Sequence, residues 1–283
     1  MNIRKIYARE ITEAVKKLFI DCNYYIGDDI TAALKKGLKT EKSPVGKSVL
    51  SQLLENNEIA ANERIPLCHD TGMAVLFVEY GDKVAVEDGS FEEAVMQGVR
   101  DAYDEGYLRK SVVSDPVFDR KNTGDNTPAI IHTRIVSGDK IKILAGGKGF
   151  GSENMSAIAM LTPSKGVDGV RQFVLDTVRK AGPNPCPPMV VGVGIGGTFE
   201  KAAQLAKKAT LRSIDSQNED ERYAALEKEL LESINKMGFG PAGLGGTTTA
   251  LGVNIETYPT HIAGMPVAVN ICCHAARHKS TVI

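Results

Sequence analysis

Apolar positions in the first sixty or so residues recur at helical spacing. Ile3, Ile6, Ile11, Val15 and Leu18 share one face, which predicts an amphipathic helix over residues 3–19. Asp28 and Asp29 are placed to cap a second helix, ITAALKKGL. Ser43 and Pro44 supply an N-cap and a first-turn proline for a third that reaches about Asn62. Residues 1–62 are therefore expected to be a helical region whose task is packing. The period then changes. Residues 73–79 predict a strand, and Ser90 with Glu93 predicts the capping box of a helix reaching about Gly106. Residues 129–136 and 140–144 predict two strands of a hairpin closed by SGDK. Residues 167–180 predict a helix stopped by Gly182 and Pro183, and residues 189–195 a buried strand. Thr198 is placed to cap the helix TFEKAAQLAKKA. Residues 218–237 predict a long helix ending at Gly238, with strands near 251–256 and 266–272. Hairpins mixed with helix–strand units predict an α+β fold rather than a doubly wound parallel sheet. The helical N-terminal region would pack on mixed or antiparallel sheets with surrounding helices.

A chain of 283 residues can bury a sizeable core, and a net charge of −1 implies neither a nucleic-acid partner nor a membrane surface. No apolar run approaches the ~20 residues of a membrane helix, and the charged N-terminus lacks the apolar region of a signal peptide. The five cysteines, Cys22, Cys68, Cys186, Cys272 and Cys273, are odd in number and sparse. That pattern points to reduced thiols and a cytoplasmic location rather than to disulfides.

The candidate chemistry gathers around three of these thiols. Cys186 stands among Pro183, Pro185, Pro187 and Pro188, which fix φ and remove four backbone donors. This stiff, extended segment presents one thiol, as a metal or cluster ligand would be presented. Cys68 opens CHDTG, where thiol, imidazole, carboxylate and hydroxyl precede a glycine that permits positive φ. The plain alternative there is an Asx-turn at Asp70. Cys272 and Cys273 point to opposite faces if in a strand, so one of them reaches any given site. Cys22, near the end of an amphipathic helix, reads as a core or surface residue. Zinc would need paired ligands; His274 and His278 fit half of such a pattern, with no nearby Cys-x-x-Cys to complete it. Three cysteines on an iron–sulfur cluster leave one iron open as a Lewis acid, which points to catalysis rather than electron transfer. Residues 192–197 contain G-x-G-x-x-G, with Asp215 about 20 residues on. Without surrounding βαβ units, a nicotinamide-binding reading is disfavoured. The three glycine-rich loops (residues 146–151, 192–197 and 240–249) are expected to aim backbone N–H groups at an anion. Arg109, Lys148 and Arg277 lie in or beside the loops and suit a carboxylate substrate. His261 suits proton relay or orientation.

PLCHDTG, GGKGFGSENMS, NPCPPMVVGVGIGGTFEKA, GPAGLGGTTTALGV and THIAGMPVAVNICCHAARH occur in that order. Together they resemble the α subunit, or N-terminal domain, of class I fumarate hydratases and the similar L(+)-tartrate dehydratases, from about residue 60 to the end. The resemblance implies a single cluster-binding domain over 1–283, whose glycine and cysteine loops converge on one site. It implies an oxygen-sensitive 4Fe-4S cluster held by Cys68, Cys186 and Cys273, the last chosen over Cys272 by the HAAR that follows. It implies Asp70 and His261 as catalytic residues, and Arg109, His69 and Gly149 or Gly151 at the substrate. Many members have Gln where His69 stands, which bears on the choice between fumarate or malate and tartrate. The expected activity is reversible hydration of fumarate to (S)-malate, a tricarboxylic acid cycle step, with tartrate dehydration as the alternative. The catalytic groups of the family's β part are not found before Ile283, so a separate β subunit in an α/β heteromer, α2β2 being one form, is expected. A zinc-stabilised interaction protein is the remote alternative.

Overall fold

Ile6 and Ile11 are both buried, as the helical spacing requires, yet the chain opens as a strand. The computed structural model describes residues 3–283. In chain order the elements are β1 (Arg4–Tyr7), α1 (Ala8–Tyr24), α2 (Asp28–Thr40), α3 (Pro44–Glu63), β2 (Met73–Gly81), β3 (Val84–Glu87), α4 (Phe91–Glu105), β4 (Ile130–Val136), β5 (Ile141–Lys148), α5 (Phe150–Glu153), β6 (Ala157–Leu161), α6 (Gly166–Ala181), β7 (Met189–Gly196), α7 (Phe199–Ala209), α8 (Glu221–Asn235), β8 (Ala250–Tyr258), β9 (Met265–Cys272) and β10 (Lys279–Val282). The expected single helix over 3–19 is thus split. Tyr7 N–H donates to the Glu10 carboxylate at 3.0 Å, which caps α1 and leaves β1 to pair in parallel with β3.

The elements form two compact units: Met1–Gly27, Asn57–Gly149 and Arg277–Ile283; and Asp28–Asn56 with Phe150–Ala276. In the first, four strands run in the order β10-β5-β2-β4. The expected hairpin of β4 and β5 does not form, because β2 lies between them, parallel to β4 and antiparallel to β5. Ala74, Val75, Leu76 and Val78 of β2 are all buried, and a buried strand must find hydrogen-bond partners along both edges. The SGDK turn bonds the β2–β3 turn instead, through Lys83 N–H to Gly138 O at 2.9 Å. Leu76, Val78, Ile141 and Ile143 pack in one core with Val15 and Phe19 of α1 and Val95 and Val99 of α4. Ser90 caps α4 as expected, accepting from Glu93 N–H at 3.2 Å.

The second unit is three-layered. Its sheet runs β6-β9-β7-β8, with β7 parallel to β8 and antiparallel to β9. Every residue of β7 is buried. Val191, Val193 and Ile195 face α6 and α8 through Val174, Val178, Leu230 and Ile234. The alternate positions are Gly192 and Gly194. A methyl added at Gly192 would stand 2.3 Å from Ala206 O, and one at Gly194 2.1 Å from Ala202 O. These glycines let α7 approach the sheet; they are strand residues, not the anion-binding loop expected, nor a dinucleotide fingerprint. Thr198 is the N-cap residue of α7 as expected, its carbonyl accepting from Ala202 N–H at 2.9 Å, but its hydroxyl donates to the Glu200 carboxylate at 2.6 Å rather than accepting a helix N–H. The long helix is shorter than expected, starting at Glu221, where Asp220 accepts from Arg222 N–H at 2.9 Å. Asp29 ties α2 to Ile214 N–H at 3.0 Å.

The loop over residues 240–249 does bind an anion, and it is the chain's own Glu41. The carboxylate accepts from Thr247 N–H at 2.9 and 3.0 Å, Thr248 N–H at 2.8 Å, Lys42 N–H at 2.8 Å and Ser43 N–H at 2.9 Å. Burial opposes its charge, but these donors outweigh burial and hold the carboxyl at about 2, against an ordinary 4.5. Among the described residues no helix is long and apolar enough to cross a membrane.

Two outcomes are expected. Gly194→Ala should cost about 3 kcal/mol of stability by urea denaturation, because backbone, not a flexible side chain, blocks the methyl. Below pH 4.5 the unfolded chain takes up a proton at Glu41 that the folded chain refuses, so stability should fall as pH drops from there toward about 2. Glu41→Gln should flatten that acid limb in a pH series of urea melts while lowering stability at neutral pH.

Candidate functional site

In the first unit the CHDTG segment is a turn that precedes β2. Asp70 Oδ1 accepts from Gly72 N–H at 3.1 Å, so the Asx-turn is present. Gly72 has φ +76°, and a methyl there would stand 2.3 Å from the Lys148 carbonyl carbon. Only glycine lets the turn press this closely on the end of β5. Tyr103 from α4 holds the turn from beneath, its hydroxyl donating to Gly72 O at 2.8 Å, with Thr71 O at 3.3 Å. Thr71 in turn fixes the Arg109 backbone: its hydroxyl accepts from Arg109 N–H at 3.0 Å. The Arg109 side chain is exposed and Cys68 is half-buried; His69 is exposed.

Gly149 follows β5 directly and is surrounded by charge. A methyl added there would meet Asp70 Oδ2 at 3.0 Å and Arg277 Nη2 at 3.4 Å. Lys148 and Arg277 are each 2 % exposed. Lys148 Nζ donates to Gly149 O at 3.0 Å, and Arg277 Nη1 donates to Asn23 Oδ1 at 3.1 Å. Arg277 Nε is buried without a hydrogen-bond partner. Two cations are thus desolvated here, Arg277 close to the Asp70 carboxylate and Lys148 on the Gly149 carbonyl. Sequence reading missed Asn23, whose backbone also accepts from Leu67 N–H at 2.9 Å. Its signal was a polar residue on the apolar face of α1. Neighbouring Cys22 is fully buried, and burial pushes its thiol up to about 11, so it is a core residue and not a thiolate at neutral pH.

In the second unit the proline-flanked segment presents Cys186 exposed, with φ +54°. Its N–H donates to Pro183 O at 3.2 Å, and its carbonyl accepts from His274 N–H at 3.4 Å. The structure therefore brings the Cys186 turn and the Cys273–His274 step together. Cys272 ends β9 and is 4 % exposed, whereas Cys273 lies just past the strand and is half-buried. Gly151 lies in α5 with open space where a side chain would be. His261 stands exposed in the β8–β9 turn, its Nδ1 accepting from Ala263 N–H at 3.2 Å. Thr260 Oγ1 docks that turn on Gly197 O at 2.9 Å. No hydrogen bond joins His261 to the Cys186–Cys273 pair among the described residues. Nor is any group of three or more His, Cys, Asp or Glu arranged to hold a single metal ion among them.

Half-buried and exposed thiols outside regular structure, glycines pressed against charged groups, and buried cations suit chemistry on a small anion. The family model described as Fumarate hydratase (Fumerase) matches residues 12–282. The chain is 44 % identical over 272 residues to the "Putative L(+)-tartrate dehydratase subunit alpha" of Methanocaldococcus jannaschii, covering 95 % of each chain. It is 33 % identical over 278 residues to the L(+)-tartrate dehydratase subunit alpha of Escherichia coli O157:H7, covering 97 % of this chain and 91 % of that one. The class is that of the hydro-lyases. Within it, this chain belongs to the fumarate hydratase family.

Tyr103→Phe should lower stability by about 1–2 kcal/mol in urea denaturation, because the carbonyl oxygens of Thr71 and Gly72 lose the Tyr103 hydroxyl and Gly72 O keeps only Asn126 Nδ2.

Proposed function

We propose that the chain works over its whole length, 1–283, as the cluster-bearing α subunit of an iron–sulfur hydro-lyase. The reaction is the interconversion of fumarate and (S)-malate, completed by a separate β subunit. The observation that carries this reading is the His274 N–H bond to the Cys186 carbonyl, which sets two cysteine-bearing turns side by side. Soft thiolates from Cys68, Cys186 and Cys273, none of them in a disulfide, fit a 4Fe-4S cluster better than a hard cation. Such a cluster supplies Lewis-acid polarisation of substrate hydroxyl and carboxylate oxygens.

The chain's own groups bind the substrate and handle protons at oxygen. Arg109 takes a substrate carboxylate through its exposed guanidinium, while its backbone is fixed by Thr71. Lys148 and Arg277 lie too deep for the same role. Gly149, with no side chain, lets its backbone lie against the Asp70 carboxylate, and Gly151 of α5 leaves open space where a substrate fits. Asp70, held by Gly72 N–H, is oriented to exchange a proton with the departing or incoming hydroxyl. His261 is the second proton-handling group, on an exposed turn. The β subunit supplies the base that takes the proton from carbon. Malate thereby loses one proton and one hydroxide as water and leaves fumarate.

L(+)-tartrate is the second substrate reading, favoured by the names of the relatives. Exposed His69 at the substrate would set the preference between the two. Dehydration of tartrate gives oxaloacetate and water by the same proton and hydroxyl bookkeeping.

Anaerobic reconstitution should give about one 4Fe-4S cluster per chain, and Cys186→Ser should abolish it; full iron and sulfide in that variant would overturn the ligand assignment. Mixed with its β subunit, the reconstituted chain should interconvert malate and fumarate. Turnover by the α chain alone would falsify the split site. The ratio of initial rates on L-tartrate and (S)-malate decides between the two substrates.

A further inference from the structure

Glu41 is remote in sequence from every residue of the candidate site, yet its side chain reaches the loop that braces Cys186. All of the contacts involved lie in the second unit. Residues 240–249 have little apolar packing of their own: Pro241 is buried, but Leu244 is 61 % exposed and Ala242 is exposed. Gly240, Gly243, Gly245 and Gly246 all have positive φ, and so does Ala242 at +54°. A loop of this composition is entropically costly to order and has to be pinned at points. One pin is the Glu41 carboxylate on Thr247 and Thr248 N–H. A methyl at Gly246 would stand 2.7 Å from Glu41 Oε1, so the anchor sits directly against the backbone. The other end of the loop touches the cysteine segment. Ala242 N–H donates to Pro187 O at 2.8 Å, and Gly243 packs so near Pro183 that a methyl would stand 2.2 Å from its Cβ. Cys186 lies between those two prolines in a left-handed conformation that an L residue adopts only when its surroundings impose it.

We propose that Glu41 is a positioning residue for Cys186, acting through the loop over residues 240–249; this rests on the reading of Cys186 as a cluster ligand. The carboxylate fixes the far side of the loop, the loop fixes Pro187 and Pro183, and these hold Cys186 where its carbonyl meets His274 N–H.

The test is amide hydrogen exchange on the full-length apo chain, comparing wild type, Glu41→Gln and Glu41→Asp. In Glu41→Gln, Ala242 and His274 amides should accelerate at least about tenfold more than Val191 and Val269 in the β7–β9 core, whose change reports the loss of global stability. Glu41→Asp keeps the charge on a shorter arm and should fall between. Should the glutamine variant fail to fold, the aspartate variant is read by the same criterion. Acceleration confined to Thr247 and Thr248 would overturn the proposal. So would a uniform acceleration that includes Val191 and Val269, since that marks only a loss of global stability. In reconstituted protein, the visible absorption of the cluster should decay about tenfold faster in air for Glu41→Gln, in line with the looser turn. Full cluster content in Cys186→Ser would sink the ligand reading alone, because the exchange result is obtained without a cluster.

Discussion

A backbone hydrogen bond, His274 N–H to the Cys186 carbonyl, joins the two cysteine-bearing turns of the second unit. Cys186 is exposed and lies at positive φ, so neither burial nor intrinsic preference holds it. What holds it is a set of main-chain partners: Pro183 O before it, His274 N–H on its own carbonyl, and Ala242 N–H on the carbonyl of Pro187. Prolines remove competing donors and stiffen the approach; glycines on the opposing loop allow the contact. The turn that carries the thiol is thus set by main-chain contacts.

The same economy of side chains recurs through carboxylates that bind peptide N–H groups. Glu41 anchors residues 247 and 248, Asp29 anchors Ile214, and Glu227 Oε1 accepts from Ile255 N–H at 2.7 Å. In the first unit Asp125 accepts from Thr127 N–H at 3.0 Å; burial disfavours its charge, but these donors hold its carboxyl at about 2. Glycine-rich and irregular segments cannot be held by apolar packing, since they have few apolar side chains to bury. A buried carboxylate that accepts several amides does that work locally, and its desolvation is offset by the number of donors.

Around Gly149 the first unit solves a different problem. Lys148 and Arg277 are buried cations, which is costly unless polar partners surround them. Gly149 O and Asn23 Oδ1 meet part of that need, and the Asp70 carboxylate stands beside them. Arg277 Nε is buried without a hydrogen-bond partner. Tyr103 and Thr71 lock the turn that carries Asp70, so a charged group on an irregular segment is nevertheless well positioned.

Local periodicity and turn chemistry are properties of neighbouring residues, and these were legible in the amino-acid sequence. The amphipathic faces of α1, α4 and α6, the Ser90 cap, the stop at Gly182 and the core strand at β7 followed from spacing alone. So did the irregular segments around Cys68 and Cys186, while the ordered motifs identified the family and singled out Cys273 over Cys272. Strand partners were not legible. β2 separates β4 from β5 because buried main-chain groups along both edges of β2 demand partners, a requirement that arises only once the sheet is assembled. Nor did sequence distinguish the uses of glycine: Gly192 and Gly194 admit α7, Gly72 admits β5, and residues 240–249 receive Glu41. A glycine states only that a side chain is missing. What occupies the vacated space is chosen by residues distant in the chain, and only the folded structure brings them there.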